Sequence, residues 1–193
     1  MRKEYNMDTK RIESLVYQLL EALGENPDRE GLVETPKRVA QMMEEMFEGI
    51  QYTNADIAEM FGKTFDVDTN QIVIVKDITC FSHCEHHMAL MYDMNISIGY
   101  IPRGRVIGLS KMPRIAEMCC KRLQLQEKIG EDIAEVISIA TGTDDVIVHI
   151  TSSHSCVSAR GVKSANSKTT TLATKGAFQQ EDMINRFLTL KNA

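Results

Sequence analysis

Three of the five histidines and one of the five cysteines of this chain lie within the eight-residue segment FSHCEHHM. In that segment Cys84 and His87 stand three positions apart, and Cys156 follows much later in the chain. Two close thiolate and imidazole ligands with a third from a distant segment are typical of a zinc site that keeps its fourth position open for water. Cys80 or His83 could instead supply a fourth protein ligand, and Cys84 could simply be a small buried side chain. The spacing favours a zinc site and leaves both alternatives open.

Two further histidines flank these candidate ligands. His86 lies between Cys84 and His87, and His154 lies two residues before Cys156. Histidine exchanges protons near neutral pH, so two such bases beside an activated water indicate hydrolysis, with Glu85 orienting a base or a ligand. The alternative is that these histidines are ordinary surface residues.

A second cluster of chemically useful residues lies in the segment GLSKMPR. Ser110 is a predicted helix cap, and Lys111 and Arg114 follow on one side of the first helical turn. Free N–H groups and two cations at a helix start can bind a phosphate, although solvated charge is the usual explanation for such a pair. Arg160, four residues after Cys156, adds a cation near the predicted metal. Together these residues predict a small anionic ligand.

The apolar pattern predicts the elements that must position these residues. Apolar residues recur at helical spacing after Asp8 or Thr9 as the cap, with Gly24 as the stop, and again after Thr35 as the cap, with Pro36 at the first helical position. The stripe of the second helix is interpreted as core; it comprises Val39, Met42, Met43, Met46 and Phe47. Further helices are predicted near 55–61, from 110, over 126–140 and over 181–190, and strands at 71–79, 94–102, 104–110, 145–153 and 161–174.

The order of these elements indicates one cooperative α+β unit. An antiparallel sheet with helices on one face is expected over 63–193, preceded by an N-terminal helical appendage over 1–62. The chain has 193 residues and lacks any apolar run near the roughly 20 residues that span a bilayer. We therefore expect no membrane association.

The net charge and the cysteines further limit the class of protein and its cellular compartment. The 22 basic and 27 acidic residues give a formal charge of -5, which disfavours binding to nucleic acid. Acidic residues interrupt the start of the chain where a secretory signal would be apolar, so we expect a cytoplasmic protein with reduced cysteines.

Taken together, several motifs closely resemble the GTP cyclohydrolase I family. They are, in chain order, ETPKRVAQM, CEHHM, GYIPRGRVIGLSKMPRIAEM, QLQEKI, HSCVSARGV and SKTTTLATKGAF. The resemblance implies a tunnelling fold, with pentameric barrels stacked into a homodecamer and sites at subunit interfaces. It also implies that water attacks C8 of GTP, formate leaves, and the ribose carbons close into 7,8-dihydroneopterin triphosphate for tetrahydrofolate or other pterin synthesis.

The resemblance also assigns roles to individual residues. It implies one zinc ion per subunit on Cys84, His87 and Cys156, and proton transfer by His86 and His154. It implies that Glu127, helped by Gln126, holds the guanine edge. The implied triphosphate contacts are Arg38 from a neighbouring subunit, Ser110, Lys111, Arg114 and Arg160.

Four residues depart from the pattern of the family. Gln41 stands where some members have a lysine that faces the triphosphate, and Met94 and Asn95 occupy an expected turn where glycine and lysine are more usual. Pro113 lies in the first helical turn, where its missing N–H would be unpaired in any residue, so we expect it to be tolerated. None of these departures affects the metal or proton-transfer residues.

Two other functions compete with this one. A relative of the same fold, such as a pterin synthase or a nitrile reductase, would use a histidine-only zinc site or a cysteine nucleophile with a nicotinamide cofactor. A non-catalytic zinc or nucleotide-binding module would need the ligands and the cations alone. The Cys/His/Cys set argues against the first, and the two extra histidines argue against the second.

Overall fold

The structure is a computed structural model that describes residues 7–193. The first two helices, α1 (Thr9–Ala22) and α2 (Thr35–Met46), form a hairpin and pack against each other. The side chain of Asp8 caps α1 by accepting a hydrogen bond from the N–H of Arg11 at 2.9 Å. Both helices confirm the predictions from apolar spacing, although Thr35 lies inside α2 rather than capping it.

The remaining elements keep the predicted order, with short helices and one short strand among them that were not predicted. They are a 3-10 helix (Glu48–Gln51), α3 (Asn54–Phe61), β1 (Thr64–Asp66), β2 (Val73–His83), β3 (Leu90–Tyr100), β4 (Arg105–Ile107), α4 (Lys111–Cys120), α5 (Gln126–Thr141), β5 (Val146–His154), α6 (Ser155–Ser158), β6 (Thr169–Thr174), a second 3-10 helix (Gly176–Gln179) and α7 (Glu181–Asn192). The strand predicted over 161–174 is shorter than expected. Gly161 and Lys163 have positive φ angles of 59° and 52°, which a strand does not accommodate.

Four strands form the main sheet in the order β2-β3-β5-β6, and every neighbouring pair is antiparallel. Strands β1 and β4 form a separate antiparallel pair. The α+β class predicted from the sequence is confirmed. Among the described residues, none of the helices has the length and apolar composition needed to cross a membrane.

The turn expected at Met94 and Asn95 is wrong, because both residues lie inside β3. The ladder between β3 and β5 is irregular between Tyr92 and Asn95, where Asp93 has a φ of 49°. The Met94 side chain is fully buried, and its sulfur lies 3.7 Å from the sulfur of Cys120. Pro113, by contrast, is accommodated as predicted, because α4 continues through it without a break.

Helices cover both faces of the sheet, so the expectation that they lie on one face is wrong. Helices α4 and α5 pack on the face that carries Val148 and Ile150. Helix α7 covers one end of the opposite face, where Phe187 packs on Ile147. Gly99 makes that packing feasible, because a Cβ there would lie 2.8 Å from the Phe187 ring.

The apolar stripes of the first two helices are only partly covered within one chain. Leu15, Leu19 and Leu23 are 53%, 56% and 70% exposed, and Met42 is 45% exposed. The interpretation of the α2 stripe as core is therefore wrong for Met42. Helix α3 differs from α1 and α2, because it packs against α4 and α5 as part of the main core. The division of the chain at residue 62 stays a prediction.

Candidate active site

The loop that connects β2 to β3 presents the first two predicted metal ligands. His83 and Leu90 are the last paired residues of the hairpin, and the N–H of Cys84 closes the loop by donating to the carbonyl of Ala89 at 2.9 Å. Cys84 is buried, at 4% exposure, whereas His87 is exposed. The loop therefore combines an inward thiol with an accessible imidazole.

The third predicted ligand, Cys156, lies in the one-turn helix α6 that follows β5 directly. The Ser158 hydroxyl donates to the carbonyl of His154 at 3.1 Å and lies 3.0 Å from the Tyr92 hydroxyl. His154 pairs with Met91 near the start of β3, close to the loop that carries Cys84. Strand pairing thus brings together residues that are far apart in the sequence.

The candidate ligand atoms of Cys84, His87 and Cys156 all lie within 4.8 Å of one another. Zinc holds thiolate sulfur at about 2.3 Å and imidazole nitrogen at about 2.0–2.1 Å, so tetrahedral ligands lie roughly 3.3–3.8 Å apart. The donor set and its spacing therefore fit zinc after a small inward movement. Among residues 7–193, neither Cys80 nor His83 belongs to such a group of three ligand atoms. This finding removes the support for either residue as a fourth ligand.

Neighbouring side chains explain the exclusion of His83 and the state of the Cys156 thiol. His83 is buried with its ring 5.3 Å from that of Phe47, and burial lowers its pKa. Burial and the nearby Cys84 thiol raise the pKa of Cys156, and Arg160 offsets only part of this rise. Because thiolates are the metal-binding form, metal binding must release the proton of the Cys156 thiol.

Two of the predicted polar residues lie directly beside His87. The rings of His86 and His87 meet edge to face with centroids 6.3 Å apart. The Nη1 atom of Arg160 lies 3.2 Å from Nε2 of His87. The structure thus places the cation predicted near the metal beside a candidate ligand. Glu85 is exposed in the same loop.

Gln126, the first residue of α5, contacts His154 rather than open solvent. Its Oε1 atom lies 2.9 Å from Nε2 of His154 and accepts a hydrogen bond from Ser152 at 2.6 Å. Gln126 is 1% exposed, and Ser152 is fully buried. A direct contact between the Gln126 amide and a substrate would have to break these hydrogen bonds. Sequence reasoning missed Ser152, although its position two residues before His154 places both on one face of β5.

Glu127 follows Gln126 in the first turn of α5 and is exposed. Burial lowers the pKa of His154, and the charge of Glu127 partly opposes that change, so the two side chains are electrostatic neighbours. A cavity of about 640 Å³ opens beside Glu127. The other residues that line it are Lys128, Glu131, Ala134, Glu135, Thr171, Leu172, Ala173, Thr174 and Lys175.

The predicted phosphate contacts at the start of α4 lie away from the metal ligands of their own chain, unlike Arg160. Ser110, Lys111 and Arg114 stand at the start of α4, whereas the last residue of that helix, Cys120, accepts a 2.7 Å hydrogen bond from Ser82 beside the metal loop. The 10 residues of α4 span about 15 Å. Along the helix axis Lys111 therefore lies about 14 Å, and Arg114 about 9 Å, from Cys120. Arg38 is exposed on α2.

An α+β protein that gathers two thiols and an imidazole where they could hold a metal ion, with a partly buried histidine two residues from one thiol, has the side chains of a candidate enzyme site. The family model of GTP cyclohydrolase I matches residues 12–192, and the chain belongs to that family of enzymes.

Curated relatives support this assignment over nearly the whole chain. A protein of Ruminiclostridium cellulolyticum named GTP cyclohydrolase 1 is 53% identical over 96% of this chain and 98% of its own length. A protein of the same name from Clostridium acetobutylicum is 51% identical over 97% of this chain and 100% of its own length. A solved structure of the archaeosine synthase QueF-Like in the apo form covers 57% of this chain and 97% of its own, with 18% identity and a TM-score of 0.44. A score that low does not establish a shared fold.

Proposed function

We propose that this enzyme is a zinc-dependent GTP cyclohydrolase I. It hydrolyses GTP at C8 and rearranges the product to 7,8-dihydroneopterin triphosphate with release of formate, the first step of tetrahydrofolate or pterin synthesis. The observation that carries the proposal is the grouping of Cys84, His87 and Cys156 beside His154 in a chain of this family. We place the enzyme in the cytoplasm, where its thiols stay reduced and able to bind metal.

The residues around the trio have separate tasks in this proposal. Bound zinc supplies Lewis acidity that lowers the pKa of water and so generates a nucleophile near neutral pH. His86 and His154 move protons during ring opening and the later rearrangement. Glu85 orients His86 from the same loop. The Glu127 carboxylate accepts hydrogen bonds from N1–H and the exocyclic amine of guanine.

A neighbouring subunit completes the site in this proposal. The triphosphate of a GTP whose guanine lies on one chain is then bound by residues of another chain, namely Arg38, Ser110, Lys111 and Arg114. Arg160 also contacts this triphosphate. The separation of the α4 start from the metal ligands supports this division. The exposed apolar residues of α1 and α2 support an oligomer that covers them. We propose the tunnelling fold and a homodecamer of two stacked pentamers.

The direct test supplies the purified protein with zinc and GTP. We expect release of formate and a product that oxidises to fluorescent neopterin. Absence of both products from a zinc-loaded oligomer refutes the proposed function.

Cys156→Ser tests the ligand assignment separately. The variant should lose bound zinc and ring opening together, because serine supplies no thiolate. Cys119→Ala is the matched control, since Cys119 is buried outside the trio and its loss should leave the zinc content unchanged. Full ring opening by Cys156→Ser without bound zinc contradicts the assignment.

A further inference from the structure

The side-chain amide of Gln126 has an orientation that its neighbours define. Its Nε2 atom lies 3.2 Å from the carbonyl oxygen of Ile150, 3.1 Å from that of Thr169 and 3.2 Å from the Thr171 hydroxyl. Carbonyl oxygens only accept hydrogen bonds, so the NH2 group must face them. The amide oxygen therefore points the other way, toward β5.

That orientation determines which groups donate to the amide oxygen. Oε1 of Gln126 only accepts, and it lies 2.6 Å from the Ser152 hydroxyl and 2.9 Å from Nε2 of His154. Ser152 has a single proton, and the shorter bond directs it to Gln126 rather than to His154, whose Nε2 is 3.3 Å away. Nε2 of His154 must then carry its own proton. A neutral imidazole with a proton on Nε2 keeps its lone pair on Nδ1.

We infer that Gln126 and Ser152 are positioning residues that hold His154 in the Nε2-protonated tautomer, which leaves Nδ1 as the ring nitrogen with a free lone pair. The inference rests on the proposed function for the use of that lone pair in the reaction. It assigns Gln126 a role different from guanine binding. It also makes the edge strand β6 part of the site, because Thr169 and Thr171 hold the amide.

Strands β5 and β6 also offer a control, a pair of hydroxyl side chains on the face of the sheet opposite His154. The hydroxyls of Thr151 and Thr170 lie 3.3 Å apart in a cross-strand pair next to Ser152 and Thr169 in the register. Adjacent residues of a strand face opposite sides of the sheet. Thr151→Val therefore removes a hydroxyl from β5 without touching the Gln126 network.

The tautomer can be observed directly by neutron diffraction on deuterated, zinc-loaded protein at pH 8, where a histidine of ordinary pKa near 6.5 is neutral. We expect a deuteron on Nε2 of His154 and none on Nδ1. A deuteron on Nδ1 with Nε2 bare overturns the inference. This measurement does not depend on turnover, so an Nε2 deuteron in a protein that leaves GTP unchanged refutes the proposed function and leaves the tautomer assignment standing.

Kinetics test whether the network matters for the reaction. Ser152→Ala and Gln126→Met should each lower kcat for ring opening by about tenfold or more, part of the roughly 10²–10⁴-fold that a positioned acid or base contributes. The zinc content and the KM for GTP should change much less, and Thr151→Val should match the unmodified enzyme. Unchanged kcat in both network variants overturns the inference. If Gln126→Met fails to fold, the smaller Ser152→Ala change decides.

Discussion

Replacing Arg122 by methionine is expected to destabilise the chain by about 3–5 kcal/mol, the usual cost of breaking one side of a buried ion pair. Arg122 lies in the segment between α4 and α5, and its side chain is 13% exposed. Its guanidinium is 2.7 Å from Asp132, whose side chain is 5% exposed, and also donates to Asn54 at 2.8 Å. Two further donors reach the carbonyls of Gly49 at 3.1 Å and Tyr52 at 2.8 Å.

The size of the effect follows from what methionine leaves behind. It fills much of the space but donates no hydrogen bond, so the carbonyls of Gly49 and Tyr52 lose a partner away from water. Asp132 keeps Lys128 at 2.8 Å, which limits the cost because the carboxylate is not left alone. We therefore expect a value near 3 kcal/mol, equivalent to a fall in Tm of about 6–12 °C for a domain of this size.

Urea unfolding at matched protein concentration measures this loss, because an oligomer gains apparent stability from assembly. Arg105→Met is the control. Arg105 is 3.5 Å from Asp66, and the two side chains are 57% and 93% exposed, so solvent screens the pair and the cost should stay within about 1 kcal/mol. Equal losses in the two variants would refute the reasoning, since burial would then make no difference.

Two further predictions follow from pKa values. Burial raises the pKa of Asp145, but the N–H of Ala177 and the guanidinium of Arg103 outweigh it, so the folded pKa lies below the ordinary value. The stability that ionised Asp145 contributes is present above the unfolded pKa near 3.9 and is lost as pH falls through the folded pKa. Asp145→Asn should therefore lower the urea midpoint at pH 7 and flatten its decline below about pH 5; parallel curves would contradict this. Burial also raises the pKa of the Cys119 thiol to about 12. Iodoacetamide at pH 8 should leave Cys119 unmodified in the folded protein and alkylate it in urea, whereas equal rates would contradict the burial.

Local patterns were enough to predict most helices and the class of the fold. Helical spacing located α1, α4 and α5, because one buried face imposes a period of 3.6 residues on the sequence. Alternation was less reliable at strand ends and irregularities. The turn expected at Met94 and Asn95 came from the resemblance, whereas the strand predicted from residue 94 agrees with β3, which is irregular beside Asp93. The packing of α7 on the second face depends on its contact with Ile147, which a local window does not contain.

The sequence by itself determined the chemical content of the site: Cys84 and His87 at close spacing, Cys156 and His154 together, and cations at the start of a helix. Only the tertiary structure decided which of these groups meet. Pairing of β3 with β5 brings Cys156 to the metal loop, while α4 carries its first-turn cations away from it. The tertiary structure also decided that Gln126 faces His154, because the direction of the side-chain amide depends on acceptors contributed by β5 and β6. Residue types and spacings are local properties, whereas burial and hydrogen-bond direction arise from contacts between segments that meet only in the folded chain.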